Sequence, residues 1–336
     1  MVDDSLTSMA FLVLTQSEVE RLLTMRDCIE VMADALAALQ RGEMHLPLRM
    51  VVRPPATENL MGLMPSHRGG PEEEWGLKVV CISPGNPARG LDMHQGAVIL
   101  FDGDTGELRA VMNASAITAI RTAAVSGVAT RLLAREDARD LAIIGSGVQA
   151  RAHLEAMATV RRLERARIYS RAPEHAQALA REVRKSYPFP VEAVMSAEEA
   201  IRGADVIVTA TSSREPVLRR EWLAPGAHVN AVGACFPTTR ELDTATVSAS
   251  SLFVDRRDSA LNEAGDILIP IQEGAIGPEH IRAELGEVVT GTAPGRTAAD
   301  EITVFESLGI AVEDLAAAQF LLRRAAETGA GTRVAF

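Results

Sequence analysis

The stretch Leu141-Ala142-Ile143-Ile144-Gly145-Ser146-Gly147-Val148-Gln149-Ala150 decides the fold of this chain. Its four leading apolar residues read as a buried strand, the glycines as a tight turn, and the Ala-, Leu- and Met-rich sequence beyond Gln149 as a helix. In that order the first glycine permits the turn, the second lets backbone approach a pyrophosphate, and the small Ala150 lets helix and strand pack closely. The start of the helix then offers unpaired N–H groups and a positive dipole end to phosphate. Gly145, Ser146, Gly147, Val148 and Gln149 are therefore the expected grip on a dinucleotide.

Working outward, short apolar runs alternate with Ala/Glu/Arg-rich helical stretches, a rhythm that implies crossover connections and a mostly parallel sheet. The runs are Leu141 to Ile144, Ala166 to Tyr169, Val191 to Met195, Asp205 to Ala210, His228 to Val232 and Leu252 to Val254. Beyond Gly295, Ala298 to Leu308 and Val312 to Arg324 read as helices, the second returning to the first part of the chain. That first part mixes one strong helix, with Ile29, Met32, Ala33, Leu36 and Leu39 at helical spacing and Gly42 at its end, with strands at Leu77 to Ile82 and Ala97 to Phe101. The turn Asp102-Gly103-Asp104-Thr105-Gly106 follows. The expectation is an α/β protein: a doubly wound Rossmann domain over 130–308, and an α+β substrate-binding and dimerisation domain over 1–129 joined by a C-terminal helix at about 309–336.

Composition narrows the function. A formal net charge of -11 disfavours nonspecific attraction to nucleic acid, although a local basic pocket is still able to hold a small anion. Cys28, Cys81 and Cys235 are widely separated and form neither a CxxC pair nor a metal set, so reduced thiols and no metal are expected. Met1-Val2-Asp3-Asp4 carries no basic leader region, and no apolar stretch is read as approaching the length of a membrane span. The expected location is the cytoplasm.

Cofactor choice turns on the end of the second strand, where NAD-preferring folds place an acid on the ribose hydroxyls. Here the chain reads Tyr169-Ser170-Arg171-Ala172. An acid would repel a 2′-phosphate, whereas Ser170 donates a hydrogen bond and Arg171 pairs with that phosphate, which favours NADPH with NADH as the alternative.

Several further stretches resemble the ornithine cyclodeaminase and mu-crystallin family. They are Leu63-Met64-Pro65, Gly76-Leu77-Lys78, His94-Gln95-Gly96, Ile117 to Ala124, Pro237 to Asp243, Glu263-Ala264-Gly265-Asp266 and Ile302 to Gly309. The match spans nearly the whole chain, and Arg121-Thr122-Ala123-Ala124 ahead of the Gly-x-Gly-x-Gln-Ala turn is its more specific part. The resemblance implies a homodimer paired through β-structure, with carboxylate-binding cations at Arg49, Lys78 and Arg121 and a nicotinamide contact at Ser307. A guanidinium gives a carboxylate a directional two-pronged contact, which supports the transfer independently. Ser307 also reads as a helix residue bonded within its own turn. The role of His94 stays open.

Two positions depart from the cyclodeaminases. Where those enzymes carry an acid after an Asn-Ala-Val-Gly strand, this chain has Cys235 in Asn230 to Pro237, and where they carry a glutamate before Leu-Met-Pro it has Gly62. Handling a substrate amine needs groups of matched pKa, whereas a protonated cyclic imine beside a carboxylate already accepts hydride. The resemblance therefore implies a ketimine reductase, converting Δ1-pyrroline-2-carboxylate to L-proline, with the six-membered analogue a further candidate. In this reading Lys78 and Arg121 are the catalytic residues, and Lys78 either keeps the imine nitrogen protonated or serves the carboxylate alone. Cys235 also reads as a small apolar strand-end residue. The alternatives are an ornithine cyclodeaminase, an alanine- or opine-type amino-acid dehydrogenase, and a non-catalytic ligand-binding dimer.

Overall fold

The computed structural model describes residues 10–336, so Met1-Val2-Asp3-Asp4 lies outside the described residues. Contacts divide the chain into two units, one of residues through Val31, Arg41–Arg121 and Ile310–Phe336, the other of Met32–Gln40 and Thr122–Gly309.

The chain opens with β1 (Ala10–Leu14), α1 (Gln16–Leu22) and α2 (Met25–Gln40), then β2 (Met44–His45) and β3 (Met50–Val52). Three hairpins follow through β4 (Leu60–Arg68), β5 (Glu74–Ile82), β6 (His94–Asp102) and β7 (Leu108–Asn113), and α3 (Ala114–Leu133) ends the segment. Period-2 alternation sets Gly76, Lys78 and Val80 of β5 on a buried face while Trp75 and Cys81 stay exposed. His94, read beside a loop, begins β6.

The second unit continues with β8 (Asp140–Ile144), α4 (Val148–Val160), β9 (Arg165–Tyr169), α5 (Pro173–Val183), β10 (Val191–Ala193), α6 (Ala197–Ile201) and β11 (Val206–Thr209). Then come β12 (His228–Ala231), α7 (Thr244–Ser248), β13 (Ser251–Val254), α8 (Arg257–Glu263), α9 (Gly265–Gln272), β14 (Ile281–Glu284), α10 (Leu285–Val289) and β15 (Thr303–Glu306). All eight strands are parallel in the order β10-β9-β8-β11-β12-β15-β13-β14. The order reverses between β8 and β11, the switch point outside which such sheets bind ligands.

Two expectations are corrected. Ala298 to Leu308 is not a helix, because Thr303–Glu306 is β15, hydrogen-bonded between β12 and β13. A strand buried on both faces reads as a continuous apolar run, and Ile302-Thr303-Val304-Phe305 carries the β-branched and aromatic residues that should have decided it. The second concerns membrane length. The 20-residue α3 is long and apolar enough to cross a bilayer, but 72% of its apolar window is buried and Arg121 sits within it, the pattern of a core helix.

The chain closes with α11 (Ala311–Thr328), capped at Gly329 by a left-handed C-terminal turn, and β16 (Thr332–Ala335), which pairs with β1. Helix α11 packs on β4, β5 and β6. A Cβ at Gly76 would stand 3.0 Å from Leu315, so glycine there lets helix and sheet approach.

Candidate functional site

In the second unit the glycine turn has the shape a pyrophosphate needs. Gly145 has φ +130, and a Cβ on it would lie 2.5 Å from the Ala210 carbonyl oxygen, so only glycine fits. Gly147 caps the N-terminus of α4, and nothing lies within 4 Å of where its Cβ would be, which leaves backbone open to an approaching phosphate. Val148 at the first helical position is exposed. His153 ties this helix to α3: its Nδ1 lies 2.8 Å from the Gln149 carbonyl oxygen and its Nε2 3.0 Å from Ser126 Oγ. Burial pushes the imidazole down to about 4, so the ring is neutral, Nδ1–H donates to the carbonyl and Nε2 accepts from the serine.

Ser146 Oγ donates to Ser170 Oγ at 3.0 Å, which links the turn to the end of β9, and exposed Arg171 follows. Ser307 lies just beyond β15, on the same carboxyl edge of the sheet, with its N–H donating to the Ala231 carbonyl. It is not a helix residue. Its buried Oγ has no hydrogen-bond partner.

Beside Ser307 lies an acidic cluster, of which Glu241, Asp266 and Glu306 fall within the sequence motifs and Asp255 does not. Glu241 accepts from the Thr211 N–H and hydroxyl through Oε1 and from the Gly233 N–H through Oε2, stitching together the loops that follow β11 and β12. Asp266 Oδ1 accepts from the Glu241 and Leu242 N–H groups, leaving Oδ2 without a partner. Asp255 Oδ2 accepts from the N–H groups of Leu308 and Gly309. Glu306 is 1% exposed, and neither carboxyl oxygen has a hydrogen-bond partner. Burial, and then the charges of Asp266, Glu241 and Asp255, hold its pKa well above the usual carboxylate range.

In the first unit, Lys78 of β5 and Arg121 of α3 meet the first turn of α11. Lys78 Nζ donates to Asp314 Oδ1 at 3.2 Å, and Arg121 Nε donates to the same oxygen at 3.1 Å. Arg121 also donates through Nη1 to Glu313 Oε2 at 2.6 Å. Every member is at most 4% exposed. Burial pulls the Lys78 ammonium down to about 8; Asp314 opposes this, while Arg121 and Arg49 add to it. Burial also works against the charge on Arg121, but Asp314 and Glu313 outweigh it and the guanidinium stays protonated. Half-buried Arg49 precedes β3 and reaches Lys78 through its field. Burial and the charges of Lys78 and Arg121 hold the His94 imidazole below its usual range.

The two acids escaped notice because Glu313-Asp314 at the start of a helix looks like a solvated first turn. The readable signs were the apolar residues on both sides of the pair and the scarcity of lysine. Lys78 and Lys185 are the only two in the chain, so a lysine in the middle of a strand is unusual here. Where an acid would serve a cyclodeaminase, Cys235 Sγ donates to the Val232 carbonyl at 3.3 Å, as a small strand-end residue does, and Gly62 lies within β4 facing Val80.

A model of the ornithine cyclodeaminase/mu-crystallin family matches residues 9–329. The chain belongs to this family. It is 40% identical over 326 residues, 97% of its length and 100% of the other's, to a Δ1-pyrroline-2-carboxylate reductase of Bacillus cereus. A structure of the Thermococcus litoralis Δ1-pyrroline-2-carboxylate reductase in complex with NADH and L-proline superposes with a TM-score of 0.94 at 40% identity, covering 96% of this chain and 100% of that one. An archaeal alanine dehydrogenase dimer with bound NAD gives a TM-score of 0.91 at 34% identity, covering 98% and 100%. The two solved structures share the fold of this chain over nearly its whole length.

Proposed function

We propose that this family member reduces cyclic ketimine carboxylates, taking Δ1-pyrroline-2-carboxylate to L-proline and accepting the six-membered analogue. The observation that carries the reading is the buried pair Lys78 and Arg121 on one carboxylate oxygen, a preformed cationic site in an otherwise acidic protein. The similarity to Δ1-pyrroline-2-carboxylate reductases supports the substrate. Cys235 and Gly62, in place of carboxylates, disfavour amine elimination from a diamine.

The glycine turn, with Ser146, Ser170, Arg171 and Ser307, fits a dinucleotide, whose reduced nicotinamide when bound supplies the hydride for the C=N carbon. Arg121 and Arg49 hold the substrate carboxylate, and the fork of Arg121 fixes its plane. Lys78, poised near 8, supplies the proton for the imine nitrogen. The test is cofactor oxidation with proline formation on adding Δ1-pyrroline-2-carboxylate to purified protein. Ammonia release from L-ornithine without imine reduction sinks the proposal. The alanine dehydrogenase similarity makes pyruvate with ammonium the second substrate pair to assay.

The same reading favours NADPH over NADH, on the strength of Arg171 and the lack of an acid after β9. Arg171→Ala should lower kcat/KM for NADPH about tenfold or more, the scale of one charge-assisted hydrogen bond, while leaving NADH within about twofold. Equal losses with both cofactors would remove the assignment.

A homodimer completes the reading. Helix α11 covers one face of the mixed sheet, while Met61 at 38% and Trp75 at 49% exposure stand on the other, an apolar face suited to a second copy. Equilibrium sedimentation checks it. The three cysteines are thiols, in keeping with a cytoplasmic protein.

A further inference from the structure

We propose that Asp314 is the positioning residue of the cationic site: by bridging Lys78 and Arg121 it keeps the lysine an aimed ammonium that protonates the substrate imine. The inference rests on the reductase reading for its last step and on geometry for the rest.

Two cations this deeply buried repel one another and have lost their hydration. Oδ1 of Asp314 receives both, at 3.2 Å from Lys78 Nζ and 3.1 Å from Arg121 Nε, and Oδ2 stands 3.4 Å from the same ammonium. Of the two cations, Glu313 accepts from Arg121. The carboxylates therefore divide the work, Glu313 answering the arginine and Asp314 coupling it to the lysine. Position enforces this, since both lie in the first turn of α11, where consecutive side chains point in different directions and the helix N-terminus favours acids.

The charged and titratable groups around Lys78 are Asp314 from α11, Arg121 from α3, Arg49 ahead of β3 and His94 of β6, with Glu313 of α11 and Cys28 of α2 interacting with Arg121. Of these, Asp314 is the one that raises the lysine's proton affinity, against burial, Arg121 and Arg49. In the reaction the Nζ–H bond breaks as the imine N–H bond forms, the hydride reaches the ring carbon, and water reprotonates the neutral lysine. Asp314 keeps its negative charge throughout. It orients Nζ through both carboxylate oxygens, at 3.2 and 3.4 Å, and leaves an ammonium hydrogen for transfer.

The scarcity of lysine makes a direct test practical. In full-length protein grown with 13C-lysine, Lys78 and Lys185 give the chain's two lysine Cε signals, exposed Lys185 serving as internal reference. Wild-type Lys78 should titrate with a midpoint at about 8. Asp314→Asn keeps an acceptor for Arg121 but removes the charge, and the midpoint should fall by about one pH unit or more. Glu313→Gln should leave it in place. Asp314→Glu restores the charge and should restore the midpoint, while its longer reach lowers kcat more than it changes KM.

The alkaline limb of kcat/KM for imine reduction should follow the NMR midpoint in every variant. An unmoved Lys78 midpoint in Asp314→Asn, or an equal shift in Glu313→Gln, overturns the proposal. If Asp314→Asn does not fold, a midpoint in Asp314→Glu that drops below the wild-type value does the same. Because the titration needs no substrate, absence of imine reduction would refute the reductase reading while the bridging role is still decided by the NMR.

Discussion

Arg121→Met should destabilise the protein by about 3–5 kcal/mol and abolish detectable turnover, the largest loss expected from any single site residue. The guanidinium is 3% exposed and serves two carboxylates, so its removal leaves Glu313 buried without that cation and Asp314 with Lys78 alone. Methionine fills much of the same volume, which confines the loss to charge and hydrogen bonds rather than packing. Urea denaturation followed by circular dichroism measures the stability, and cofactor oxidation the activity. Adding Glu313→Gln should recover part of the stability by removing one orphaned charge, with turnover still absent. A stable, inactive single variant would instead mean that the two acids find other partners and that Arg121 serves the substrate alone. An active one would remove it from the site.

The uneven legibility of the chain has physical causes. Leu141 to Ala150 was readable because a strand, a glycine with obligatory positive φ and an open helix start leave a fixed local pattern, and Gly145 with its Cβ path blocked by Ala210 is that pattern in the structure. The strands of the nucleotide-binding sheet up to β13 were equally local. β15 was not, because an apolar run buried on both faces has no period of its own, and β14 passed unread because Ile281-Arg282-Ala283-Glu284 is a four-residue edge strand with only two apolar residues.

The site shows a different limit. Arg121 and Lys78 stood out as cations in motifs, but a buried cation requires a counter-charge, and that requirement is met from the far end of the chain by Glu313 and Asp314. Sequence separation of 192 residues or more hides such a pairing from any local reading. Asking what neutralises each buried cation would have directed attention to the one acidic dipeptide in an otherwise apolar helix start. Glu306 failed in the opposite way. It sits beside Ser307 in a stretch already singled out, yet its chemistry depends on Asp266, Glu241 and Asp255 arriving from three other segments.

Glu306→Gln should raise stability, by an amount that grows with pH. In the folded chain Glu306 holds its proton well above 4.5, the value it regains on unfolding, because it is buried and faces Asp266, Glu241 and Asp255. The native state therefore binds a proton that the unfolded chain releases, and stability falls as pH rises from about 4.5 through the raised native pKa. Asp266, pushed up to about 7 by burial and by Glu241, adds a second loss of the same sign between 3.8 and 7. Glutamine is nearly isosteric, stays neutral, and carries an N–H able to donate to the open Oδ2 of Asp266. At pH 5, where Glu306 is already neutral, variant and wild type should differ by less than about 0.5 kcal/mol, the scale of a neutral substitution. At pH 9 the variant should be ahead by about 1–3 kcal/mol, the cost of an unsatisfied buried polar group. Thermal melts at closely spaced pH values in one buffer ionic strength measure the gap. A gap independent of pH would show that Glu306 titrates alike in the folded and unfolded chain, and a variant less stable than wild type at pH 9 would show that its ionised carboxylate is satisfied by a bound cation.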